Sequence, residues 1–228
     1  MSSTTYCTKC KRTPHPGSQF KKCSRCRMAA YCSKKCQMVH WDVHGEICVP
    51  CSPNEVWGIR ITVKNSNSTR TWKPLEYFQH ELLSSNHPIF SRGESCPVTK
   101  RVGVPLIIYS TRLHGEGGTA GLNETSGKPR LRVEDSDGFA PPSWQKCEGP
   151  GECIVVREDG KPLTRELLEA LYSFIVDLMA YPGITNEAWA SWQGLLAPSV
   201  WQMYARKYYQ AQNNAGRLGF DDFFPLVD

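Results

Sequence analysis

The sequence predicts a small metal-held module over residues 1–51, followed by an α+β domain with a helical C-terminal part over residues 52–228. Three observations predict this division. Eight of the eleven cysteines lie in the first 51 residues. The charge divides at the same place: those residues hold nine Lys/Arg against Asp42 and Glu46, a net of +7, while the remainder holds 18 basic and 20 acidic residues, a net of −2. Beyond residue 52, short apolar runs of strand character alternate loosely with helical ones, which suits α+β better than an all-helical fold.

At 228 residues the chain has room for one full domain and a small module. A charged fraction of 21% and a hydrophobic fraction of 40% exclude both a disordered tail and a membrane protein. No run approaches the roughly 18 apolar residues of a membrane span. The opening MSSTTYCTKCKR lacks the apolar core of a secretory leader. The expected compartment is therefore a reducing one, cytoplasm or nucleus, where clustered cysteines are metal ligands rather than disulfides.

The ligands of the first module come in pairs. Cys7 and Cys10 form a C-x2-C, and Cys23 and Cys26 form a second, twelve residues on. Cys32 and Cys36 form a C-x3-C, and His44 and Cys48 an H-x3-C. A C-x2-C knuckle lets two thiolates reach one ion from a tight turn. The four-residue spacing of the other two pairs puts each on one face of a helical turn. Eight such ligands suffice for two tetrahedral sites, and zinc suits S4 and S3N sets best among common ions. Sites closed by four protein ligands leave no position for substrate or activated water, so their role is structural. Tyr6, Phe20, Met28, Tyr31, Val39, Trp41 and Ile47 are nearly all the large apolar residues available, so metal binding has to supply most of the folding energy.

Cys7-x2-Cys10, Cys23-x2-Cys26, Tyr31-Cys32-x3-Cys36-Gln37 and Trp41-x2-His44-x3-Cys48 together resemble a MYND-type zinc finger. The spacer of twelve residues after Cys10 is longer than in many such fingers, and Pro14, Pro16 and Gly17 suit it to a surface loop. The resemblance implies an interleaved cross-brace: Cys7, Cys10, Cys32 and Cys36 on one zinc, Cys23, Cys26, His44 and Cys48 on the other. Spacing alone allows consecutive pairing equally. His40 is a rival to His44, but the family pattern favours His44 and leaves His40 exposed on the same short helix. Cys51 falls outside the pattern.

The resemblance implies protein binding, often of short proline-rich peptides laid extended against a groove; such peptides lose little entropy on docking. Gln37 and Trp41 match positions that line this groove in the family. Trp41 could equally be the largest side chain of a miniature core, and the sequence leaves both readings open. The +7 charge raises nucleic-acid binding as an alternative. Seven thiolates and two Zn²⁺ would reduce it to about +4. The basic residues are scattered, and sequence-specific nucleic-acid recognition is not expected. Lysine methyltransferases that carry such a finger have an Asn-His pair followed closely by Cys. Here Asn86-His87 is followed by Pro88-Ile89-Phe90 and reads as a turn. No catalytic residue is predicted; an enzyme with a site elsewhere in 52–228 is the remaining alternative.

In the second unit, residues 51–54 read as a linker and Val56–Val63 as a strand. Pro74–Leu83 fits a short helix, with Leu75, Phe78, Leu82 and Leu83 on one side. Val104–Tyr109 reads as a buried strand, residues 115–129 as a glycine-rich loop, and Leu131–Glu134 and Ile154–Arg157 as further strands. Glu158-Asp159-Gly160 signals a turn before a strong helix over Leu163–Tyr181. Asn186–Gly194 and Ser199–Asn213 read as two more helices, with Thr185 and Ser199 as N-caps. Gly138-Phe139-Ala140-Pro141-Pro142-Ser143-Trp144 reads as an extended strap or a self-ligand for an aromatic groove. This part resembles uncharacterised regions that accompany MYND fingers in fungal proteins. Cys147 and Cys153 have no nearby Cys or His partner in sequence and are expected to be free thiols and not a third zinc site. Trp201, Tyr204 and Tyr208 form a helical stripe, read as core.

Overall fold

A computed structural model describes residues 6–16, 20–26, 28–48, 51–52, 54–62, 77–110, 151–161, 163–179, 194–217 and 219–220. The N-terminal module contains a minimal hairpin, β1 (Lys21–Lys22) with β2 (Ala30–Tyr31), and one helix, α1 (Lys34–Ile47). Its helix starts at Ser33, which has extended backbone and a side-chain oxygen that accepts from the Cys36 amide at 3.2 Å. That bond satisfies one of the first-turn donors that have no partner within a helix.

The second unit is built on a five-stranded antiparallel sheet: β3 (Glu55–Ile61), β4 (Phe78–Ser84), β5 (Glu94–Ser95), β6 (Leu106–Tyr109) and β7 (Cys153–Arg157). The order across the sheet is β4-β3-β7-β6-β5. Two short helices, α2 (Ile89–Arg92) and α3 (Pro97–Arg101), lie between β4 and β6 in the chain. Two long helices, α4 (Arg165–Met179) and α5 (Pro198–Asn214), follow β7. No described helix is long and apolar enough to cross a membrane.

Side-chain alternation explains how the sheet is used. Ile59, Ile61, Phe78, Leu106, Ile108, Cys153 and Val155 join Leu168, Leu171 and Phe174 of α4 and Trp201 and Ala205 of α5 in the main core. Leu83, Tyr109, Ile154 and Val156 form a second apolar layer with Ile89 of α2. Two covered faces are why Leu106–Tyr109 and Cys153–Arg157 read as continuous apolar runs instead of alternating ones. The Glu158-Asp159-Gly160 turn is present, with Gly160 at φ +67, a conformation that costs glycine little. Buried Arg157 pairs with Asp159 across it. The aromatic stripe of α5 packs on α4: Phe174 lies 5.4 Å from Trp201 and 5.1 Å from Tyr204 between ring centroids. Buried Glu169 of α4 accepts from Tyr208 at 2.6 Å and from both Arg217 Nη atoms at 2.6 and 2.9 Å.

Two readings are corrected. The helix expected over Pro74–Leu83 is a strand across Phe78–Ser84, paired residue for residue with β3 from Ile61↔Phe78 to Glu55↔Ser84. Phe78, Leu82 and Leu83 have helical spacing, but Phe78 and Leu83 serve opposite faces of the sheet, and cross-strand pairing outweighs local propensity. The last helix starts one residue earlier than expected: its cap is Ala197, with Pro198 in the first turn, and not Ser199. Proline fits there because its missing N–H needs no partner. The segments 115–129, Leu131–Glu134 and Gly138–Trp144, with Cys147 and Thr185, lie outside the described residues, as does nearly all of Asn186–Gly194.

Candidate metal centres and the face beside them

The eight sequence-predicted ligands converge as two sets of four. Cys7, Cys10, Cys32 and Cys36 form one cluster; Cys23, Cys26, His44 and Cys48 form the other. Within each, the ligand atoms lie within 4.8 Å of one another. The pairing is interleaved, with the third sequence pair joining the first and the fourth joining the second.

Local structure places each pair. The first knuckle turns on Lys11, whose amide donates to the Cys7 carbonyl at 2.8 Å and whose φ is 61. It docks on β2 through Thr8: the Thr8 amide donates to the Ala30 carbonyl at 2.7 Å, and the Thr8 hydroxyl oxygen accepts from the Ala30 amide at 3.0 Å. In the second knuckle, the Met28 amide donates to Cys26 Sγ at 3.4 Å. The Cys23 amide donates to the Ala29 carbonyl at 2.7 Å. Helix α1 then supplies Cys36 from its first turn and His44 from its last, while Cys48 caps its end.

The separations suit tetrahedral zinc. Zinc–sulfur bonds near 2.3 Å at tetrahedral angles put sulfurs about 3.8 Å apart, and sulfur and imidazole nitrogen about 3.6 Å apart. Cys10 Sγ and Cys36 Sγ each lie 3.5 Å from Cys32 Sγ. Cys23 Sγ and Cys48 Sγ are 3.7 Å apart, and Cys26 Sγ lies 3.5 Å from His44 Nε2. The donors therefore fit two zinc ions, one per cluster.

The two clusters differ in exposure. All four ligands of the second are buried, while in the first only Cys7 is. His44, 4% exposed, is ringed by aromatic groups: Tyr31 at 6.1 Å, Trp41 at 5.8 Å and His40 stacked at 5.9 Å. His40 is half-buried, its Nδ1 hydrogen-bonded to the Tyr31 hydroxyl at 3.0 Å, and not exposed as expected. Sequence spacing could not show that bond, because it joins β2 to α1.

Electrostatics explain why protons compete with metal. Burial raises the Cys7 thiol, but the backbone amides at Cys10, Cys32 and Lys9 outweigh it and bring it down to about 6. Hydrogen bonding to Cys10 is the main influence that pushes Cys32 up to about 12, with burial second. Cys48 is likewise pushed up to about 12, first by burial and then by Cys23. Cys7 thus gives up its proton readily, while Cys32 and Cys48 hold theirs. A divalent cation displaces those protons. Burial, followed by the charges of His40 and Arg25, lowers the pKa of His44 and favours the neutral, metal-binding imidazole.

Trp41 lies outside the finger's apolar cluster, which gathers Cys7, Cys23, Cys26, Ala29, Tyr31 and Cys48 with Phe20 and Met28. Trp41 is 38% exposed. The Arg25 guanidinium stands 5.8 Å from its ring centroid. A β-carbon on Gly45 would meet the indole at 3.3 Å, so glycine lets the ring lie flat along the helix. Gln37, one turn before Trp41, is half-buried. Met38, Val39 and Val43 are also exposed on α1.

Residues 7–48 match the family model described as MYND finger. No solved structure matches the chain.

Proposed function

We propose that this chain is an adaptor or regulatory protein whose zinc finger recognises a protein partner, with Gln37 and Trp41 forming the contact surface. MYND fingers are protein-interaction modules. The observation that carries the finer reading is the setting of Trp41: a large indole on the finger surface, beside a glycine and under an arginine, with no part in the apolar cluster. A flat aromatic wall of this kind suits a proline-rich segment in extended conformation, whose rings stack without loss of backbone freedom. Gln37 would offer its carboxamide to the peptide backbone. Arg25 adds a preference for acidic residues near the docked segment.

Titration of zinc-loaded full-length protein with a panel of proline-rich peptides, followed by calorimetry, tests this. Trp41→Ala should weaken the best peptide by about 2 kcal/mol, some thirtyfold in Kd, as removal of a central aromatic anchor does. Both zincs should remain bound, because Trp41 contributes no ligand. Unchanged affinity would remove Trp41 from the contact surface.

A further inference from the structure

The Cys23–Cys26 knuckle is tied down from outside the finger. Two of its backbone carbonyls accept hydrogen bonds from residues that follow the last ligand, Cys48. The Cys51 amide donates to the Arg25 carbonyl at 2.7 Å. The Trp57 indole Nε1–H donates to the Cys26 carbonyl at 3.3 Å. Trp57 belongs to β3 and is 7% exposed. Its place is set by pairing with Leu82 of β4, and its ring stands edge-on to His80 at 5.8 Å. By contrast, the bonds that brace the first knuckle are contained within the finger: Thr8 with Ala30, as above, and the Cys7 amide donating to the Arg12 carbonyl at 3.0 Å.

A knuckle holds its sulfurs through the orientation of its peptide planes. The carbonyl of Cys26 belongs to the peptide next to its own Cα, so fixing that oxygen restrains the backbone torsion that sets the direction in which the ligand-bearing side chain leaves the chain. We propose that Trp57 is a positioning residue for the second zinc site: the sheet domain presents its indole N–H to the Cys26 carbonyl and so holds Cys26 Sγ in place for the ion. Outer groups that orient ligands commonly change metal affinity by factors of ten or more. The second site is then a joint product of the finger and the sheet, while the first belongs to the finger.

Trp57→Phe in the full chain tests this, since phenylalanine keeps an aromatic ring against His80 and deletes the donor. The zinc-loaded protein is challenged with excess chelator. Release is followed with a colorimetric indicator, and the metal-bound imidazole signal of His44 identifies the second site by NMR. The expected result is that zinc leaves the His44 cluster about tenfold faster, at the lower end of the range for outer groups, while the other zinc leaves at the wild-type rate. Wild-type rates at both sites would overturn the proposal. Equal acceleration at both would overturn it too, because that pattern signals general loosening. Should the variant fail to fold, the wild-type protein gives the answer by metal exchange. Replacing zinc by cadmium lengthens the metal–sulfur bonds. The Trp57 indole N–H resonance should move with the second site's exchange, and an unmoved resonance would overturn the assignment.

Discussion

The finger and the sheet domain reach a folded state by opposite means. The finger's apolar cluster consists largely of its own ligands, Cys7, Cys23, Cys26 and Cys48, with Ala29 and Tyr31 as its other buried members. The main core of the sheet domain joins β-branched and aromatic side chains from strands and helices alike. One region stores its stability in coordination bonds, the other in apolar area removed from water. The contrast teaches that the same chain should respond to two different insults in two different places.

The largest test of that contrast is removal of a ligand. Cys23→Ser should abolish ordered structure in the finger, seen as loss of amide dispersion for residues 6–48, while the helical circular dichroism of α4 and α5 persists. A finger that keeps its dispersed resonances without zinc would contradict the coordination argument. The converse experiment attacks the core. Phe174, 2% exposed and packed against Trp201 and Tyr204, should cost about 4 kcal/mol when replaced by alanine, measured by urea unfolding of the sheet domain. Zinc stoichiometry at low denaturant should stay at two.

Acid should separate the regions next. His44 has a lowered pKa in the folded finger, so below its ordinary value of 6.5 it binds fewer protons folded than unfolded. Its contribution is present above that value and is lost as pH falls through the lower folded value. Thiolate protonation acts in the same direction, so zinc release should begin first. In the sheet domain, burial raises Asp159, but the hydrogen bond and charge of Arg157 outweigh it and hold the carboxyl below its ordinary 3.8. That contribution is present above 3.8 and is lost only as pH falls through the lower folded value. A pH titration with a zinc indicator and near-ultraviolet dichroism should therefore show two transitions, the finger's at the higher pH. The smallest effect is expected at Ser33. Ser33→Ala removes the α1 cap and should cost the finger about 1 kcal/mol, read as a modest fall in the chelator concentration that suffices to hold back zinc-dependent folding.

What the sequence disclosed follows the same division. All eight ligands were legible, because coordination demands particular residue types at particular spacings. Their interleaved partition was not: it depends on how β2 and α1 bring Cys32 and His44 to different knuckles, and only the family resemblance implied it. In the sheet domain, β6 and β7 stood out through runs that are apolar on both faces, and α4 through its periodicity. Strand β4 looks helical in sequence because the position of each side chain relative to the sheet is set by the partner strand. The contact between Trp57 and Cys26 had no signal at all in one dimension, since it joins two elements that meet only after folding. Tyr31 with His40 is a similar case.

The order of strands carries a consequence for the route by which the chain folds. β3 lies between β4 and β7, and Ile59 pairs with Val155, nearly a hundred positions away. During synthesis the finger's last ligand, Cys48, emerges long before β7 does, and closing so long a loop is slow relative to local contacts. The finger can thus gather its ions while the centre of the sheet is still missing one side. The β3–β4 hairpin must then wait with an open edge until the ribosome delivers the strand that covers it.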